Sequence, residues 1–127
     1  MKRPPTRRAA SSLLSVYTTV GSLEQARMLA RELVQRRLAA CAQICPIESF
    51  YHWRGELQNE PEFRVLLKTS AERYDELESA IRSLHPYELP AIYALAVARG
   101  LPPYERWVSE SVCTDTSANN ARVASGA

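Results

Sequence analysis

Glycine and cysteine are scarce in this 127-residue chain, and each shortage closes off a class of function. The four glycines are scattered, so no glycine-rich loop exists to cradle phosphates, and no cofactor motif stands out. Three cysteines, Cys41, Cys45 and Cys113, cannot all pair with one another. Their spacing is not a disulfide framework, which makes a reducing cytoplasm the expected home. No apolar run approaches the ~20 residues that span a bilayer, so no membrane partner is expected. The apolar block behind the basic start is too short and too broken by serines for a secretory signal.

Charge of one sign is also missing from the body of the chain. The formal +2 is concentrated in the first eight residues, where Lys2, Arg3, Arg7 and Arg8 supply +4. Asp115 and Arg122 cancel, which leaves residues 9–112 at −2. A nucleic-acid-binding domain normally carries a basic patch on its folded body, so no nucleic-acid partner is expected. Trp53 and Trp107 with Tyr51 and Tyr104 are read as packing or subunit-contact groups instead of a base-stacking surface.

A length of 127 residues suits one domain with a real core. The expected layout is a flexible tail over 1–10, a folded domain over 11–112 and a disordered tail over 113–127, where Ser, Thr, Asn, Ala and Gly dominate. Residues 12–20 are rich in β-branched and aromatic types and stop at Gly21, which predicts a buried strand. Ser22 with Gln25 forms a capping-box pattern ahead of Ala26, Leu29, Ala30, Leu33 and Val34 at helical spacing, and a helix is expected over 23–37. Residues 38–53 read as extended, with Pro46 forcing a bend, bulge or edge.

Arg54-Gly55-Glu56 is a turn signal, and residues 57–69 return as a second long strand with an irregular outer half at Pro61. Ser70 is placed to cap a second helix carrying Tyr74, Leu77, Ile81 and Leu84. A fourth strand follows over 91–98, then a short helix after Pro102-Pro103 with Tyr104, Trp107 and Val108 on one side. This order, β-α-β-β-α-β plus a short C-terminal helix, is the α+β ferredoxin-like arrangement. Two helices would cover one face of the sheet. The other would expose Leu, Val, Tyr and Phe side chains, which oligomerisation would cover.

The stretch His85-Pro86-Tyr87-Glu88-Leu89-Pro90 joins the second helix to the last strand. Each proline fixes its own φ and pushes its predecessor towards extended geometry, so an imidazole, a phenol and a carboxylate sit on a stiff connector. This stretch, with Ala39-Ala40-Cys41-Ala42-Gln43, Tyr51-His52-Trp53-Arg54-Gly55-Glu56-Leu57, Leu67-Lys68-Thr69 and Tyr104-Glu105-Arg106-Trp107, resembles the CutA family of divalent-cation tolerance proteins. The match runs in order over about residues 13–112. The resemblance implies a tight homotrimer built by long hairpin strands and a link to copper and other divalent metals. It also implies kinship of fold with the trimeric PII signalling proteins.

Some members of that family place a soft ligand at the end of the first strand and a second histidine just before the His-Pro step. Here those positions carry Tyr17 and Leu84, leaving His85 as the candidate ligand for a divalent metal such as copper. The competing role for His85 is to cap the second helix, its ring donating to a terminal carbonyl. Cys41 and Cys45 are about 13 Å apart along an extended segment, and Cys41 is expected to be a buried, inert core residue. Lys68, Tyr87, Glu88 and Trp53 are candidates for a ligand pocket, in which Lys68 and His85 would hold a small anion. Tyr87 and Glu88 could instead serve as intersubunit hydrogen-bonding groups. No catalytic residues are expected, because no nucleophile has an adjacent base. The function expected is divalent-metal tolerance by binding, with a PII-like small-ligand sensor or a protein-anchoring scaffold as the alternatives.

Overall fold

The computed structural model describes residues 12–114, and both expected tails lie outside these residues apart from Cys113 and Thr114. The elements are β1 (Leu13–Val20), α1 (Leu23–Gln35), β2 (Cys41–Trp53), β3 (Glu56–Ser70), α2 (Tyr74–Leu84), β4 (Ile92–Ala96) and α3 (Pro102–Ser111). The four strands form one sheet in the order β2-β3-β1-β4, every neighbour antiparallel. The α+β class and the element order are those read from the sequence.

Period-2 alternation sorts the strand residues between two faces. Val16 and Val20 of β1 and Val65 and Leu67 of β3 face the helices, where they meet Leu29, Leu33, Leu77 and Ile81 in a core with no exposed surface. Each such side chain contributes roughly 1.5–3 kcal/mol by leaving water. On the opposite face Tyr17 lies across from both Leu66 and Tyr93, and its ring stacks on Tyr93 at 5.1 Å between centroids. Tyr93 and Leu95 there remain about half exposed, at 49% and 54%.

The entry to α1 is the expected one, with the Gln25 amide donating to Ser22 Oγ at 3.1 Å. Its end comes earlier than position 37. Arg37 is left-handed at φ 57°, its amide donates to Val34 O and the Leu38 amide donates to Leu33 O. This is a Schellman stop built without glycine, secured by burial of Leu38 behind the turn. Ser70 does not cap α2. A 3-10 turn over Ala71–Arg73 intervenes, and no side-chain capping bond forms at either position.

The two strand prolines break nothing. Pro46 pairs with Phe63 and Pro61 with Glu48 in an unbroken register from Cys41–Lys68 to Trp53–Glu56. β1 accompanies β3 only as far as Phe63, so Pro61 lies where β3 has a single neighbour, and Pro46 lies on the sheet edge. At such places a missing N–H leaves no ladder bond unmade. The hairpin therefore continues past the sheet as a two-stranded arm. It closes with Arg54 at φ 52° and Gly55 at φ 83°, two consecutive left-handed residues of the kind a tight hairpin turn requires.

Candidate functional site

The connector between α2 and β4 crosses the end of the sheet where the arm leaves it. His85 ends α2 with extended geometry, as the following proline dictates, while its amide still donates to Ile81 O at 2.8 Å. Its ring does not cap the helix. The Nε2 atom is 2.8 Å from the Thr19 carbonyl oxygen on β1, and Nδ1 accepts from the Tyr87 amide at 3.1 Å. An acceptor at Nδ1 fixes the neutral tautomer with the proton on Nε2. Burial lowers the His85 pKa from its ordinary value, offset in part by the Thr19 carbonyl and the Glu62 charge.

Tyr87 stands edge-on to that imidazole at 4.8 Å and donates its hydroxyl to Glu62 Oε2 at 2.7 Å. Burial, then the Glu62 carboxylate, push the phenol pKa well up. Glu62 is only 7% exposed. A buried carboxylate needs such a partner. The next residue, Glu88, reaches the other way and pairs with Arg54 of the arm's turn at 2.9 Å, both side chains largely in water.

Between connector and arm lies a cleft of about 640 Å³. Its arm wall is Ile47, Phe50, Tyr51 and Trp53, its floor Thr19, Glu62 and Arg64, and its connector wall Tyr87, Glu88, Leu89 and Ala91. Of the four residues expected to form a pocket, Trp53, Tyr87 and Glu88 come together here and Lys68 does not. Lys68 pairs with Ser15 and Cys41 towards the far end of β3. The reading from the residues missed Glu62 and Arg64, whose signal was a pair of opposite charges two apart in a strand. It also passed over Phe50 and Thr19 as pocket groups.

For a metal the single chain is poorly equipped. Among the described residues no three His, Cys, Asp or Glu side chains converge, and a site at His85 would require the ring to release one of its two bonds. Cys41 is half-buried instead of sealed in the core. Cys45 is exposed, and no disulfide joins the three cysteines. Tyr17 and Leu84 serve packing, the first in its stack on Tyr93 and the second against the core.

Comparison with known proteins places this geometry. The model of the CutA1 divalent ion tolerance protein family matches residues 14–111. The divalent-cation tolerance protein CutA of Thermotoga maritima is 40% identical over 100 residues, covering 79% of this chain and 99% of that one. Its namesake from Archaeoglobus fulgidus is 37% identical over 97 residues, covering 76% and 95%. The solved structure of the A. fulgidus periplasmic divalent cation tolerance protein CutA superposes with a TM-score of 0.78 at 36% identity, over 80% of this chain and 99% of that one. CutA from Xylella fastidiosa gives 0.79 at 35% identity, over 81% and 100%. No helix among the described residues is long and apolar enough to cross a membrane. The chain belongs to the CutA1 divalent ion tolerance protein family.

Proposed function

We propose that this protein serves divalent-cation tolerance as a cytoplasmic homotrimer that binds and does not catalyse, with the cleft between connector and arm as its small-ligand site. The observation that carries the reading is the cleft itself: a concave, aromatic-walled space with a few fixed polar groups, the usual form of a ligand site. Trimer formation would cover Tyr93 and Leu95 on the sheet face that α1 and α2 leave bare. A cytoplasmic setting suits cysteines that form no disulfide.

Copper enters this reading through the assembly. One chain brings no ligand set together, so a copper site would gather side chains from several subunits. His52 on the arm is exposed and is the imidazole available for it, whereas His85 is occupied.

Light scattering should give three times the mass of the 14.3-kDa chain. Calorimetric titration with copper(II) should show binding that His52→Ala weakens and His85→Ala leaves in place. A monomer by scattering, or copper binding lost only in His85→Ala, would overturn the reading. The small-ligand-sensor alternative is favoured by the same cleft.

A further inference from the structure

We propose that the groove between the end of α1 and the adjoining face of α2 binds a phosphate group, held by Arg36 and Arg73 and by the hydroxyls of Ser79 and Ser83. The groove is separate from the cleft at the hairpin arm, and no residue lining it belongs to the sheet or the arm. It lies in the helical layer, across the sheet from Tyr93 and Leu95. The subunit contact proposed above therefore leaves it open.

The local sequence makes the space. Glu76, Ser79 and Ser83 stand at i, i+3 and i+7 of α2 and so share one face of the helix. Arg36 directly follows α1 and Arg73 directly precedes α2, which brings both guanidiniums to the same groove. Leu38, buried behind the turn that ends α1, borders it. The concavity of about 480 Å³ is the room that the short serine side chains leave unfilled.

Its polar lining is rich in donors that lack acceptors. Only 12% of the Arg73 side chain is exposed. Its Nη1 donates to Glu76 Oε1 at 2.7 Å, its Nη2 makes a long contact of 3.4 Å with the Arg37 carbonyl, and its Nε is buried without a partner. A buried donor in that state calls for an ion or an ordered water. Arg36 directs Nε and Nη2 to the same oxygen of Glu32, at 2.9 and 2.8 Å, which leaves Nη1 open. The hydroxyls of Ser79 and Ser83 are on exposed residues and, among the described residues, donate to no acceptor.

Two guanidiniums and two hydroxyls approach from different sides. A tetrahedral ion has oxygens enough, and in enough directions, to accept from all of them, whereas a carboxylate offers two oxygens in one plane. The competitors are Glu76 and Glu32. Their side chains reach water, being 65% and 37% exposed, so an arriving dianion displaces them at small cost. The negative end of α1 is muted, because the carbonyls of Glu32, Leu33 and Val34 already accept amides of the turn that stops the helix.

The test is calorimetric titration of the full chain with inorganic phosphate, glycerol 3-phosphate and acetate. Phosphate should bind, and acetate should bind about 10-fold more weakly or not at all, as lost hydrogen bonds to charged groups imply. Tighter binding of glycerol 3-phosphate would make the natural ligand a phosphate ester; equal or weaker binding would make it the free ion. Ser79→Ala combined with Ser83→Ala removes two donors and installs better helix formers, so this variant folds, and its phosphate affinity should fall about 10-fold. Arg36→Gln should weaken binding as well. Glu76→Gln should act in the opposite direction and tighten it, since Arg73 loses its competitor, an effect that a purely structural role for these residues does not produce. No phosphate binding at millimolar concentration, acetate bound as well as phosphate, or an affinity unchanged in both the double-serine and Arg36 variants would overturn the proposal.

Discussion

The imidazole of His85 and the carbonyl of Thr19 meet at 2.8 Å, fastening the end of α2 to the end of β1. The same ring accepts the Tyr87 amide through its other nitrogen. The connector that walls the cleft is thus anchored through one neutral side chain. Acid should loosen it.

The pH dependence has a definite sign. The folded His85 pKa lies below the ordinary 6.5, so the unfolded chain takes up a proton first as the pH falls. The contribution of His85 is complete above about pH 6.5 and is lost as the pH drops through the folded value. Glu62 and the Thr19 carbonyl favour the charged ring, but burial outweighs them. His85→Gln should cost about 1–3 kcal/mol at pH 7.5. In urea melts the gap between wild type and variant should narrow at pH 5; a constant gap would contradict the neutral, doubly bonded ring.

Tyr87→Phe keeps the edge-on ring and removes the donor to a buried carboxylate. The expected loss is about 1–3 kcal/mol. A double-mutant cycle with Glu62→Gln should show coupling of about 1 kcal/mol or more, whereas additive losses would mean that the hydroxyl and the carboxylate act independently.

Leu29→Ala empties space at the centre of the core, where Leu29 is fully buried. Chemical denaturation should report a loss of about 2–5 kcal/mol. The same change at the exposed Leu101 should stay within about 0.5 kcal/mol.

Tyr93→Lys and Leu95→Lys test the bare sheet face. Both residues are about half exposed in the single chain, so a lysine there should leave the helical circular dichroism signal intact. Light scattering of the double variant should give the mass of one chain. A trimer that persists would place the subunit contact elsewhere.

Element types and their order were legible in the sequence because period-3.6 and period-2 patterns are local properties. The Ser22 cap and the Arg54-Gly55 turn are local in the same way. The end of α1 was less visible, since Arg37 takes a left-handed conformation that glycine usually advertises and Leu38 holds it there by burial. Pro46 lies on an edge strand, one of the outcomes expected of it, whereas the irregular outer half expected at Pro61 did not occur. Whether a missing N–H costs a bond depends on which neighbour the strand has at that point, and pairing decides that.

By itself, then, the sequence determined the β-α-β-β-α-β order, the family and the stiff connector from His85 to Pro90, all of which rest on short-range spacing and fixed proline torsions. Only the tertiary structure decided what the connector's groups do. His85 is 66 residues from Thr19 and Tyr87 is 25 from Glu62, separations that no periodicity encodes. Lys68 shares a strand with Arg64, yet the ending of β1 alongside Phe63 puts the cleft beside Arg64 and leaves Lys68 behind. Chemistry made Lys68 the candidate and passed over Arg64; strand register put Arg64 beside the cleft instead.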